Sequence, residues 1–123
     1  MAFDITEADW KVYSKTLFPV ALDRFCERVL DEIQRIASDP SRSPHERYVA
    51  IYKHARERDK KLAALFDEFR RSSALLQLML MRANGLLTDE ELAPLSPEAR
   101  ERTQPFRYSC ESDASAEGTN EPA

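Results

Sequence analysis

Apolar residues recur at three- and four-residue steps in two long stretches, separated by a short polar link. The first stretch carries Trp10, Tyr13, Leu17, Val20, Phe25, Val29, Ile33 and Ile36, the spacing of one face of a helix. Thr6 precedes it as an N-cap, Glu7 and Asp9 follow in the first turn, and Ile5 is placed to staple onto Trp10. Pro19 interrupts the pattern. A proline inside a helix removes one donor and crowds the carbonyl four residues back, so a kink is expected there.

The second stretch, Ser43–Gly85, organises the chain. Ser43-Pro44-His45-Glu46 combines an N-cap, a proline at the first helical position and the glutamate of a capping box. Asn84-Gly85 is the matching stop, with Leu86 able to fold back on Met81. With no Gly or Pro between, one helix over 44–84 is expected, roughly 60 Å long at about 1.5 Å per residue. Its seam reads Tyr48, Tyr52, Ala55, Asp59, Leu62, Phe66, Phe69, Ser73, Leu76 and Leu80, a heptad rhythm. The charged run Arg56–Lys61 weakens that seam, and a break with Asp59 capping a second helix is the alternative. The link Ser38–Arg42 is short, and short links make antiparallel neighbours.

Past Gly85 come another capping box, Thr88 with Glu91, and another helix start at Ser96-Pro97-Glu98. The fold expected is all-α: a long antiparallel helical hairpin, its first helix kinked near Pro19, with one or two short C-terminal helices. Residues 1–104 form one domain. Residues 105–123 are rich in Ser, Glu and small polar residues, the composition of a disordered acidic tail.

A hairpin centred near Ser41 places residue i opposite 82−i. Arg24 then faces Arg58, with Asp23 and Asp59 beside them. These four are read either as a solvated ion-pair cluster, the simpler view, or as a polar layer that sets register. The run Leu75-Leu76-Gln77-Leu78-Met79-Leu80-Met81 is apolar except at Gln77, so a helix there needs cover on every side. Leu75, Leu78 and Met79 lean away from the Leu76–Leu80 seam and are the expected homodimer interface.

Charge and chemistry narrow the reading further. The chain has 18 Lys and Arg against 22 Asp and Glu, for a net charge of −4. Residues 39–85 are nevertheless net basic. Lys53, Arg56, Lys60, Arg70 and Arg71 form a basic face, read first as a solvated helix surface and alternatively as an RNA- or ribosome-binding surface. Cys26 and Cys110 form no CxxC pair; Cys26 is expected to be a buried inert thiol in a reducing cytoplasm. No secretory leader and no membrane span are expected. His45-Glu46 opens like a zinc-protease motif, but Val49 stands where its second histidine belongs. With two isolated glycines, there is no phosphate loop. No catalytic constellation, metal site or cofactor is expected. The chain reads as a non-enzymatic protein–protein interaction module, homodimeric or paired with another helical protein.

Overall fold

A computed structural model describes residues 4–105, and all of their regular structure is helical. Helix α1 spans Glu7–Val12, a π-helical turn follows over Tyr13–Leu17, and α2 spans Phe18–Ala37, the three running on without interruption. Next come α3 (Pro44–Phe66), α4 (Arg71–Ala83), α5 (Asp89–Leu92) and α6 (Pro97–Arg102). The expected tail beyond Pro105 lies outside the described residues.

The distortion expected at Pro19 takes the form of the π turn. The Phe18 N–H reaches back to the Tyr13 carbonyl, and the wider turn carries the chain past a residue with no N–H to offer. Thr6, Ser43, Thr88 and Ser96 each cap a helix as their sequence context requires, and the capping boxes at Ser43/Glu46 and Thr88/Glu91 are complete. Gly85 adopts φ 67°. Around it Leu86 N–H donates to the Met81 carbonyl and Gly85 N–H to that of Arg82, a Schellman stop.

The single helix expected over 44–84 does not form. Residues 44–84 are two helices, broken at 67–70 and not at Asp59. The cause lies downstream. A straight continuation would give the Leu75–Met81 run one neighbour, whereas the bend buries Ala74, Gln77, Leu78 and Met81 among the other helices. The break orphans carbonyls at the end of α3. Gln77, the one polar residue of the run, is buried and satisfies them: its amide nitrogen donates to Ala64 O at 3.1 Å and Leu65 O at 2.9 Å, an orientation assigned from the hydrogen-bond partners.

The core occupies one end of the hairpin. Tyr13, Leu17, Ala21 and Phe25 meet Leu65, Phe66, Ala74, Leu78, Met81, Leu86, Leu92, Leu95 and Ala99. Phe69, in the break, stacks at 4.6 Å from Phe18 and 5.3 Å from Trp10, centroid to centroid. It also lies 6.4 Å from Tyr13, the partner expected from the hairpin register. Asp9 ties the N-terminus to α6: it is buried, and its carboxylate accepts from Ser96 N–H at 2.8 Å and Ser96 Oγ at 2.6 Å. Tyr13 is fully buried with no hydroxyl partner among the described residues, and burial pushes its phenol up.

Candidate interaction surface

Beyond Phe25 the two long helices leave the core as an arm. Between Cys26 and Ala64 no residue is buried. The helices hold each other through one seam. Arg47 donates to the Ala37 carbonyl at 2.8 Å, and His54 Nε2 lies 2.6 Å from Glu32 Oε1. Arg58 Nε donates to the same Glu32 oxygen at 3.1 Å. Burial alone would raise the Glu32 carboxyl, but its bonds to His54 and Arg58 hold it below its ordinary value.

This seam is one residue out of phase with the expected one. Arg47, Ile51, His54 and Arg58 face α2, so Tyr48, Tyr52, Ala55 and Asp59 turn about 100° away from it. Tyr48 is 70% exposed and Tyr52 56%. Leu30 on α2 is 64% exposed and shares their side of the hairpin, because Cys26, Val29, Leu30, Ala55, Asp59 and Leu62 line one groove of about 250 Å³. Tyr52 and Tyr48 continue that face of α3 at successive turns. The arm therefore presents a largely apolar strip along one flank, interrupted by Asp59 and Arg58, while Arg28, Glu32 and Lys61, with Arg58 again, line the other.

The remaining site residues fall as follows. Leu78 is fully buried, which removes it from any interface: the bend in the chain turns it into the core. Leu75 and Met79 are half-buried and Leu76 is 53% exposed, the reverse of the expected orientation. Arg24 and Asp59 do not pair, because the polar layer comes apart. Asp23 and Asp59 are exposed. Arg24 forks onto Glu91, both bonds 2.8 Å, and donates to the Leu86 carbonyl at 2.7 Å. That bidentate pair, with the Thr88 N–H bond, holds the Glu91 carboxyl down at about 2. Cys26 is an exposed free thiol, not a buried one.

The basic face divides. Lys53, Arg56 and Lys60 are exposed on α3, with the Arg56 guanidinium 5.7 Å from the centre of the Tyr52 ring. Arg70 pairs with Glu68 at 2.9 Å, and Arg71 pairs with Glu7 and lies over Trp10. A polar hollow of about 580 Å³ between α4, α5 and α6 is lined by Arg82, Asp89, Arg100, Glu101 and Gln104 among others, close to where the described residues end. Among the described residues, no cluster of three or more His, Cys, Asp or Glu could hold a metal, and no helix is long and apolar enough to cross a membrane.

The residues that sequence reasoning missed here are Glu32, His54 and Glu91, each joined to a residue far along the chain. Glu91 was legible as a cap but not as the partner of Arg24. Compared with protein-family models, with curated proteins and with solved structures, the chain finds no match in any of the three.

Proposed function

We propose that the protein is a non-enzymatic helical interaction module that pairs with a second copy of itself through the apolar strip of the arm. The observation that carries this reading is the run from Cys26 to Ala64 without a single buried residue, bearing Leu30, Tyr48 and Tyr52 more than half exposed. Helices gain most of their stability by burying an apolar face, and two helices bury only one seam. A second hairpin laid on the strip completes a four-helix bundle. Large exposed aromatics are also the side chains that anchor interfaces.

The RNA-binding alternative loses ground on the same observations. Arg70 and Arg71 already have acidic partners, which leaves Lys53, Arg56 and Lys60 of that face, a small counterion footprint for a phosphate backbone. The module belongs in a reducing cytoplasm, where the exposed thiol of Cys26 stays free.

Sedimentation equilibrium of the purified chain at micromolar concentration tests the reading. The wild type is expected to be dimeric. The double variant Leu30→Glu, Tyr52→Glu is expected to be monomeric with its helical circular dichroism retained. A wild type that stays monomeric over that range overturns the proposal.

A further inference from the structure

The charges bordering the strip specify how the second copy sits. Glu27 and Asp31 directly follow Cys26 and Leu30 on α2, while Lys53, Arg56 and Lys60 directly follow Tyr52, Ala55 and Asp59 on α3. Each step along a helix turns about 100°. In two antiparallel helices seen together, the turn that leads from the shared seam to the strip leads onward to the strip's outer edge on both. The α2 edge is therefore acidic, with Asp23 one turn before Glu27, and the α3 edge is basic. All six of these side chains are exposed. The two rims also match in level. Glu32 meets His54 and Arg47 reaches the Ala37 carbonyl, which sets residue i of α2 opposite about 85−i of α3. Glu27 thus stands level with Lys60, and Asp31 with Lys53 and Arg56.

Two face-to-face arrangements with two-fold symmetry are available to such a strip. If the axis crosses the arm, the arms run antiparallel, each acidic rim meets the other acidic rim, and each basic rim meets a basic one. If the axis runs along the arm, the arms run parallel and α2 lies on the partner's α3. Glu27 then meets the partner's Lys60, and Asp31 meets the partner's Lys53 and Arg56. In both arrangements neighbouring helices are antiparallel, so packing does not choose between them and the rims do. Like charges brought together at an edge disfavour the wrong register, and opposite charges fix the right one. We infer that the protein forms a parallel-arm dimer, α2 against the partner's α3, with rim charges selecting that orientation. The inference rests on the pairing proposed above and adds its geometry.

Two measurements separate the orientation from the pairing itself. A spin label at Ser41→Cys, with Cys26→Ser and Cys110→Ser removing the native thiols, reports the distance between hairpin tips by pulsed dipolar spectroscopy. Parallel arms bring the tips together, within about 25 Å including the labels. Antiparallel arms, each a dozen or more residues long at about 1.5 Å per residue, add an axial offset of about 18 Å or more, which lengthens the same distance to about 30 Å. Charge reversal supplies the second measurement. Glu27→Lys with Asp31→Lys is expected to weaken dimerisation by about tenfold or more, as is Lys53→Glu with Lys60→Glu, and all four changes in one chain should restore it. A dimer with distant tips, or one whose affinity the acidic-rim reversal leaves unchanged, overturns the orientation and leaves the pairing standing. A wild type that never dimerises overturns both.

Discussion

At Phe25 the hairpin changes character. On one side, α1, the π turn and the start of α2 are enclosed by the end of α3 and by α4 to α6, and Tyr13, Leu17 and Ala21 have no exposed surface. On the other side, once past the bonds of Arg28 to Asn84 and Gly85, the same α2 continues with α3 as its only neighbour among the described residues. The base is closed by long-range polar links as well as by packing: Arg24 to Glu91, Arg28 to the carbonyls of Asn84 and Gly85, Asp9 to Ser96. Along the arm the polar links join only its own two helices, Glu32 to His54 and Arg58 and Arg47 to the Ala37 carbonyl, and the apolar flank has nothing on it among the described residues. A region finished within the chain beside one left unfinished is the contrast on which the proposed pairing rests.

Substitutions in the two regions should expose this difference. The largest effect belongs to the base: Leu78→Ala is expected to cost about 2–5 kcal/mol in chemical denaturation, because it opens a cavity in a packed core. Leu30→Ala, measured at concentrations too dilute for pairing, is expected to cost less than about 0.5 kcal/mol, as exposed positions do. Comparable losses at the two positions would erase the distinction between base and arm.

Gln77→Ala comes next. It strips the end of α3 of the donor to the Ala64 and Leu65 carbonyls and should cost about 1–3 kcal/mol, the range for a buried polar group left without a partner. A neutral effect would mean that water serves those carbonyls equally well.

Acid tests the clasp between α2 and α5. Glu91 is held at about 2 against an ordinary value of 4.5, so its pairing stabilises the fold fully above that ordinary value. The contribution is lost as pH falls from 4.5 toward 2. The side chains of the pair are 35% and 27% exposed, and solvent screening reduces the effect to about 1–2 kcal/mol. Denaturation of wild type and Glu91→Gln at pH 5 and at pH 2.5 should show the wild type losing more stability between the two than the variant. Parallel losses would contradict the assignment.

The smallest effect is expected at Asp59→Ala and Asp67→Ala, each within about 0.5 kcal/mol because both are exposed. A distinctly larger loss at Asp59 would revive the buried charged layer that the structure dissolves.

Legibility in the sequence followed the range of the interaction. The caps at Thr6, Ser43, Thr88 and Ser96 and the stop at Gly85 depend on residues within a turn, and each appears where its motif stands. The hairpin itself followed from periodicity and a short polar link. The phase of α3 did not, because Tyr48-Tyr52-Ala55 and Arg47-Ile51-His54 both run at helical spacing. The structure favours the seam whose polar ends reach Glu32 and the Ala37 carbonyl. The break after Phe66 left no glycine or proline to read. It follows from the demand for cover on a run apolar on nearly every side, and Gln77 was the only residue marking it. The surface candidate shifted for the same reason. Once the bend buries Leu78, the unpartnered apolar area lies on the arm.

Amide hydrogen exchange, followed on the purified chain at two concentrations an order of magnitude apart, tests the central claim most directly. Amides of the base, over 17–25 and 74–86, should be strongly protected to the same degree at both concentrations. Amides of the arm, over 29–36 and 47–62, should be protected more at the higher concentration, because pairing completes their packing. Arm and base protected equally, with no dependence on concentration in either, would contradict the account.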